Sequence, residues 1–434
     1  MGGKSATVPG PSRTEALRAR AVDWVERFLA VRRQSEALCE PLVAEDYVVQ
    51  SMPDVSPTKW HLAHTSWFFE TFLLLPHATG YRAFDPHFSY LFNSYYVTVG
   101  DRHCRQNRGL LSRPTVSQVQ AYRRHIDEAM VGFLKGLGPA QQSGLMPVIE
   151  LGLHHEQQHQ ELMLTDIKHV FWVNPMRPAY RPRKPAEAGH VPSMRWVNFD
   201  EGTYSIGHDG ERFAFDNEAP RHRVFLESFR LASRLVTNGE FRQFVDDGGY
   251  RRAELWLSLG WAAAQQEQCT APLYWICQDG RWLNHTLCGL RPVEDDEPVC
   301  HVSYFEADAY ARWAGARLPT EAEWETASYT TPGTGNFVEN GDYHPVPLRQ
   351  EREGLCQMFG DVWEWTASPY VAYPGYRPAA GALGEYNGKF MCNQFVLRGG
   401  SCATPASHIR PTYRNFFPPD ARWQFTGFRL ARDA

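Results

Sequence analysis

The chain has 434 residues, of which 43% are hydrophobic and 21% are charged, which is ordinary for a globular protein long enough to form two domains. A formal net charge of −5 gives no electrostatic reason to expect nucleic acid or an anionic membrane as a partner. No apolar run reaches the length of a membrane span or a signal core, and nine scattered cysteines without a Cys-x-x-Cys pair favour reduced thiols in the cytoplasm over disulfides.

The first part of the chain is predicted to be helical. Residues 1–13 are small, polar and rich in Pro and Gly, so we expect a disordered tail. Amphipathic or apolar patterns then predict four helices, over residues 14–33, 56–73, 114–137 and 146–173. A capping Ser56 followed by Pro57 at the first helical position starts the second helix, and Thr115 caps the third. One long loop, residues 76–114, connects these two helices and indicates a four-helix bundle with a crossover.

The fourth helix contains the sequence HHEQQHQE (154–161). Residues four apart share a helix face, so His155 and His159 can offer two imidazoles to one metal ion. The second helix contains SPTKWHLAHTSW (56–67), with His61 and His64. A third imidazole from this helix would complete a three-histidine site with open positions for substrate and for water or dioxygen. By ligand chemistry alone, zinc fits such a site as well as iron does.

The His-Glu-x-x-His spacing is also the signature of zinc proteases. A protease needs a third ligand downstream, and neither a Gly-x-x-His extension nor a suitably placed Glu follows, because the next Glu after Glu161 is Glu187. The sequence therefore disfavours a protease, and Glu156 is expected to be an outer-shell or surface group.

The texture of the chain changes after a Pro-rich basic stretch, residues 175–192, which is expected to be a linker. From residue 193 to 434, predicted helices and strands are short, turns are frequent and Trp is abundant. Such a segment is held together by aromatic packing with little regular secondary structure. The fold class predicted for the whole chain is α+β.

Six motifs in order carry a resemblance between the second half and the fold of formylglycine-generating enzymes and sulfatase-modifying factors, which is C-type-lectin-like. They are LVTNGEF (235–241), PVCHVSY (298–304), RLPTEAEWE (317–325), GDVWEW (360–365), LRGGS (397–401) and GFRL (427–430). The chain departs from the generating enzymes just after LRGGS, where Cys402 stands alone before Ala403 and Thr404 instead of belonging to a cysteine pair. Copper-thiolate chemistry is therefore not implied.

The first half resembles a DinB-like metal-binding four-helix bundle, assigned to residues 14–174. A DinB-like bundle followed by a sulfatase-modifying-factor-like domain (193–434) resembles one family, the ergothioneine-biosynthetic sulfoxide synthases. This resemblance implies a non-haem iron(II) enzyme that uses dioxygen to join the thiol of cysteine to the imidazole of N-α-trimethylhistidine (hercynine), giving the sulfoxide. Small molecules, and neither nucleic acid nor a membrane, are then its partners; the sequence does not indicate an oligomeric state.

The resemblance also implies roles for individual residues. A Trp-x-Leu-x-His motif matches residues 60–64 and selects His64 as a metal ligand beside His155 and His159, leaving His61 as an outer-shell or packing residue. Gln158 stands where the family contacts the imidazole of hercynine. Asn415 and Phe416, in YRNFFPPDAR (413–422), stand where the family binds the amino-acid end and the trimethylammonium group of hercynine.

The same loop bears on the sulfur donor. Family members that use γ-glutamylcysteine carry an acidic residue at the position of Phe417, so an aromatic ring there implies free cysteine, with γ-glutamylcysteine as the alternative. Arg105 and Arg108 are candidates for binding the carboxylate of the thiol, because a guanidinium group binds a carboxylate through two points. Arg102 and Arg422 are the alternates.

A phenol near the metal can act as proton donor. Tyr95 and Tyr96, adjacent in the long loop, are the first candidates, with Tyr370, Tyr373 and Tyr376 as rivals in the second half. Two other functional classes stay open, a non-catalytic binding module and a DinB-like metal-dependent thiol S-transferase. The first would leave the histidines, Gln158 and Asn415 without a shared purpose, and the second would not need the C-terminal domain.

Overall fold

The computed structural model describes residues 23–182, 191–210, 212–348 and 353–434. The expected tail, residues 1–13, and the first part of the predicted first helix lie outside the described residues, as do residues 183–190 of the expected linker.

Four long helices form the first half: α1 (Trp24–Ala37), α2 (Thr58–Phe69), α3 (Val116–Gly136) and α4 (Pro139–Val173). Helix α2 packs on both α3 and α4, and α1 packs on α4, so the four form a bundle. Helix α2 continues into a π-helical turn at Glu70–Leu74. The crossover before α3 contains a short helix, Phe88–Phe92, and a 3-10 helix, Arg105–Leu110. All four predicted helices of the bundle are present.

The residues at the starts of α2 and α3 can be compared with the two predicted helix caps. The hydroxyl of Thr115 accepts the backbone N–H of Gln118, which confirms the predicted cap of α3. The predicted cap of α2 is wrong by one residue, since Pro57 occupies the N-cap position. The hydroxyl of Ser56 instead accepts a hydrogen bond from Arg108 Nη1 at 2.9 Å, so it serves the crossover and not the helix.

The second half is built from short elements, as expected. Its helices are α5 (Asn238–Asp246), α6 (Ser258–Gln266), α7 (Tyr304–Trp313) and α8 (Glu321–Ser328). Its strands are β1 (Trp196–Phe199), β2 (Gly202–Ile206), β3 (His222–Leu226), β4 (Phe229–Ala232), β5 (Trp275–Gln278), β6 (Arg281–Thr286), β7 (Gly289–Pro292), β8 (Trp363–Pro369), β9 (Phe395–Arg398), β10 (Asn415–Phe417), β11 (Thr426–Gly427) and β12 (Ala431–Asp433).

These strands make four small sheets, with orders β1-β4-β12, β10-β9-β8-β11, β2-β3 and β5-β6-β7. All strand pairs are antiparallel except β8 and β11. Strand β10 holds Asn415, Phe416 and Phe417 in register with β9, with Phe416 opposite Val396. The sheet thus gives the predicted substrate-binding residues a defined backbone position.

The two halves share one core. The largest cluster of buried apolar side chains contains Phe28 and Trp67 from the bundle together with Phe241 and Trp365 from the second half. Polar contacts tie α4 to the second half as well: the carboxylate of Glu161 accepts hydrogen bonds from Trp363 Nε1 and Thr404 Oγ1, both at 2.8 Å. Helix α4 is therefore tied directly to the second half at Glu161.

All nine cysteines lie in the described residues and none forms a disulfide. Within the same residues, no helix combines the length and the apolar character that a membrane crossing requires.

Candidate functional site

Helices α2 and α4 bring three histidines together inside the bundle. His64, His155 and His159 are all buried, and their potential ligand atoms lie within 4.8 Å of one another. The Nε2 atoms of His64 and His155 are 3.1 Å apart. Spacing by four residues on α4 gives two of these imidazoles, and α2 supplies the third from the facing helix.

Hydrogen bonds behind two of these rings decide which nitrogen points inward. His64 Nδ1 donates to the carbonyl oxygen of Phe92 at 2.6 Å, which leaves Nε2 with its lone pair for a ligand. His159 Nδ1 lies 2.8 Å from His61 Nδ1, and His61 Nε2 lies 3.0 Å from a carboxylate oxygen of Asp166. A proton on His159 Nδ1 and one on His61 Nε2 satisfy this chain, so Asp166 and His61 orient His159 as outer-shell groups do in metal sites.

Burial keeps the three imidazoles neutral. It lowers the pKa of His64 and His159 well below the ordinary value and that of His155 to about 3. Neutral imidazole is the form that binds a metal ion, and three of them suit iron(II) or zinc. His155 Nδ1 is a buried atom without a hydrogen-bond partner among the described residues. The residues present fit a divalent transition metal held by three Nε2 atoms.

Glu156, the middle residue of the protease-like motif, is fully buried and points away from the histidine cluster. Its carboxylate forms ion pairs with Arg32 Nη1 at 2.8 Å and Arg123 Nη2 at 2.6 Å, and it accepts a hydrogen bond from Ser35 Oγ at 2.6 Å. The expectation of a surface group is wrong, because two guanidinium groups in the bundle core need this charge. Because these contacts occupy both oxygens of the carboxylate, Glu156 is not available as a general base.

A cavity of about 330 Å³ lies between the two halves, beside the histidines. The predicted site residues that line it are His155, His159, Gln158, Tyr95, Arg105, Arg108, Asn415, Phe416 and Phe417. His64 is absent from its walls, since the ring is fully buried and stacks on Trp60 at 4.5 Å between centroids. The structure thus places residues from both halves, far apart in sequence, around one cavity.

Like His64, the predicted catalytic residue Tyr96 does not line this cavity. It is fully buried, and its ring packs against Trp67 at 5.5 Å and Phe72 at 5.3 Å. Its neighbour Tyr95 does line the cavity, and the ring of Tyr95 stacks on that of Tyr96 with 4.7 Å between centroids.

Gln158 is held at both ends by tyrosines of the second half. Its Nε2 donates to Tyr413 Oη at 2.7 Å, and Tyr386 Oη donates to its Oε1. Both tyrosines line the cavity and neither was singled out from the sequence. Tyr413 is the first residue of the segment 413–422 that contains Asn415, and this position could have identified Tyr413 from the sequence. Tyr386 lies in a stretch without any recognisable motif.

The three rival tyrosines lie outside the cavity walls. Tyr370 stacks on Phe416 with 4.1 Å between ring centroids, Tyr373 donates to Glu321 at 3.2 Å, and Tyr376 donates to Asp216 at 2.9 Å. These hydroxyl groups and rings support the loops behind the cavity, and none of the three rivals lines it.

The predicted arginines differ in their surroundings. Arg108 is buried, with its guanidinium 3.3 Å from the centroid of the Trp60 ring and hydrogen bonds to Ser56 and Ser94. No carboxylate pairs with it among the described residues, and burial lowers its pKa well below the ordinary value. Arg105 is exposed and donates to the carbonyl oxygen of Asp54. A buried cation without a partner anion marks the place where an anionic ligand group would bind.

The two alternate arginines are less suited to this role. Arg102 lines the cavity, but it is exposed and donates to the carbonyl oxygen of Ser94 at 2.6 Å. Arg422 lies outside the cavity walls and pairs with Glu306 at 3.3 Å.

Comparison with known proteins agrees with this two-part construction. Residues 27–163 match the DinB superfamily, and residues 181–346 and 332–434 match the sulfatase-modifying factor enzyme 1-like domain. The formylglycine-generating enzyme of Streptomyces coelicolor is 31% identical over 305 residues, which cover 59% of this chain and 92% of that protein.

Two relatives match both halves. The hercynine oxygenase of Mycolicibacterium thermoresistibile is 35% identical over 411 residues, covering 88% of each chain. The hercynine oxygenase of Mycobacterium tuberculosis is 33% identical over 404 residues, covering 88% of this chain and 92% of the other. With such identity along most of both sequences, the chain belongs to the hercynine oxygenase family.

Proposed function

We propose that this protein is an iron(II)- and dioxygen-dependent sulfoxide synthase that joins cysteine to hercynine in ergothioneine biosynthesis. The observation that carries the proposal is a cluster of three neutral imidazoles, two of which line a cavity whose other wall comes from the second half. In the reaction a C–S bond replaces the S–H and imidazole C–H bonds, one oxygen atom enters the sulfoxide and the other leaves as water. Iron(II), when bound to His64, His155 and His159, activates dioxygen and favours the thiolate form of cysteine.

Hercynine is oriented by the wall that α4 and β10 share. The amide of Gln158, fixed by Tyr413 and Tyr386, presents a hydrogen-bonding group to the imidazole. Asn415 Oδ1 accepts the backbone N–H of Phe416 at 2.9 Å, so its amide N–H groups serve the carboxylate of the substrate. The rings of Phe416 and Phe390 line the cavity and suit a trimethylammonium group.

Cysteine is placed by the opposite wall. Arg108, with Arg105 nearer the opening, binds the carboxylate of the thiol substrate. Phe417 also lines the cavity and packs against Trp423 at 5.9 Å between ring centroids. A γ-glutamyl ammonium group would meet an apolar ring there, so free cysteine is the donor.

The decisive test is oxygen consumption by anaerobically iron-loaded protein, with mass spectrometry of the product. We expect uptake only when hercynine and a thiol are both present, and a higher kcat/KM with cysteine than with γ-glutamylcysteine. A strong preference for γ-glutamylcysteine would overturn the donor assignment alone. Absence of uptake, with one tightly held zinc, would favour the S-transferase alternative.

Replacing Tyr95 or Tyr386 with Phe is expected to slow sulfoxide formation by at least about 100-fold or to divert the enzyme to thiol dioxygenation, because a positioned proton donor contributes about 10²–10⁴-fold. Both phenols line the cavity, and burial raises their pKa so that they stay protonated. Product ratios and single-turnover rates are the measurements, with the exposed Tyr90→Phe as matched control. Wild-type rates and products in Tyr95→Phe, Tyr96→Phe and Tyr386→Phe would exclude all three as donors.

A further inference from the structure

A second cavity, of about 620 Å³, adjoins the metal cavity. Asp54 and Trp423 line both, so the two spaces lie on either side of these residues. The second cavity is formed by the end of α4, the segment from residue 267 to 275, and the loop after β10. Apart from Arg422, an alternate for the carboxylate of the thiol, none of the residues predicted to hold metal or substrate lines it.

Aromatic rings make up much of its wall. Trp172, Tyr274, Trp275 and Trp423 all line the cavity. Tyr274 is 1% exposed, and its hydroxyl group finds no hydrogen-bond partner among the described residues. A cation already stacks on this wall from outside the cavity, since the guanidinium of Arg177 lies 4.5 Å from the centroid of the Trp172 ring. Such rings attract cations through their negative faces.

The charges that line the cavity are mostly negative. Asp54, Glu267 and Asp420 are exposed carboxylates, and none forms an ion pair with another described residue. Arg422 is the single Lys or Arg among the described lining residues. Its charge is offset by Glu306 at 3.3 Å, and its Nη2 donates to the carbonyl oxygen of Ala271 at 3.0 Å. The cavity therefore carries an excess of negative charge over an aromatic wall.

We propose that this second cavity is a capture site for a quaternary ammonium group, from which hercynine passes Asp54 and Trp423 into the metal cavity. The identification of the ligand as hercynine rests on the proposed function, but the recognition of a quaternary ammonium group does not. A quaternary ammonium group has no N–H to donate, so neutral hydrogen-bond acceptors do not bind it. Aromatic faces and nearby carboxylates attract it through its charge. Carboxylates at the rim raise the local concentration of a cationic group before it reaches the site of reaction.

The test combines Glu267→Gln with Asp420→Asn, since both residues line the second cavity and neither lines the metal cavity. In the iron-loaded full chain we expect kcat/KM for hercynine to fall about tenfold, the lower end of the range by which charged clefts raise association rates. We expect kcat at saturating hercynine and KM for cysteine to stay near wild type. The difference should vanish near 1 M salt, where the screening length is about 3 Å.

The matched control is Glu45→Gln, an exposed carboxylate that lines neither cavity. Its kcat/KM for hercynine should equal that of the wild type. A double variant indistinguishable from Glu45→Gln would overturn the capture site.

Binding of tetramethylammonium chloride, followed by calorimetry with sodium chloride as reference, separates this inference from the proposed function. We expect saturable binding to the wild type and to His155→Ala, and weaker binding to the double variant. If hercynine is not turned over but this pattern holds, the proposed function fails and the ammonium site stands. If turnover holds while tetramethylammonium binds the double variant as it binds the wild type, the capture site fails alone.

Discussion

Replacing His155 with Ala is expected to abolish metal-dependent oxygen consumption and to lower metal affinity by more than about 100-fold. The removal of an outer-shell partner of a ligating histidine already costs about 10- to 100-fold, and His155 would be a ligand itself. No other described His, Cys, Asp or Glu forms a three-residue group with His64 and His159 that could replace it. Metal content after dialysis and oxygen uptake with both substrates are the measurements.

His87→Ala is the matched control, because His87 is exposed, with 82% of its side chain accessible, and bonds only to the nearby Asp85. It should keep metal and activity at the wild-type level. Full metal occupancy in His155→Ala would mean that the metal binds elsewhere and would remove the basis of the proposed chemistry.

The spacing was sufficient to predict the pair His155 and His159, because its logic is local, whereas His64 was selected by the family resemblance. Spacing by four on one helix places His155 and His159 side by side whatever surrounds them. The role of His61 was harder to predict from the sequence. Its two ring nitrogens connect His159 on α4 with Asp166 two turns further along, and that relation appears only when α2 lies against α4.

Contacts between the halves could not be predicted in the same way. Gln158 is separated by 228 residues from Tyr386 and by 255 from Tyr413. No periodicity or spacing connects such positions, so neither tyrosine could be assigned to Gln158 from the sequence. The choice depends on how the segment around Tyr386 lies on the bundle, where Glu385 accepts the backbone N–H of Val97 at 3.0 Å and of Thr98 at 2.9 Å.

The motifs of the second half have structural roles, which explains why they predicted its fold well and its chemistry poorly. Thr320 and Glu323 form the capping box of α8, and Glu321 pairs with Arg398 at 2.8 Å and Arg414 at 2.9 Å. Glu364 of GDVWEW pairs with Arg429 of GFRL at 2.5 Å. Such buried pairs hold loops in place where there is little regular secondary structure, so the motifs that contain them identify the fold. The residues that line the cavity lie between these motifs.

Replacing Glu156 with Gln is expected to destabilise the protein by about 3–5 kcal/mol, since removing one partner of a buried ion pair leaves uncompensated charge in the core. Here two guanidinium groups, those of Arg32 and Arg123, lose their shared carboxylate. Urea unfolding of metal-free protein measures the effect without the contribution of metal binding.

The same helix supplies the control for this experiment. Glu150 pairs with Arg27 at 2.7 Å, but 26% and 32% of the two side chains are exposed, so Glu150→Gln should cost less than about 1 kcal/mol. Equal losses in the two variants would contradict the structural role of Glu156. If the Glu156→Gln variant is stable and retains its metal but loses activity, Glu156 transfers protons, which is the role that a His-Glu-x-x-His motif suggests. The ion pairs predict the opposite: in this chain the glutamate of that motif stabilises the bundle, and the two histidines beside it face the cavity for which we propose the chemistry.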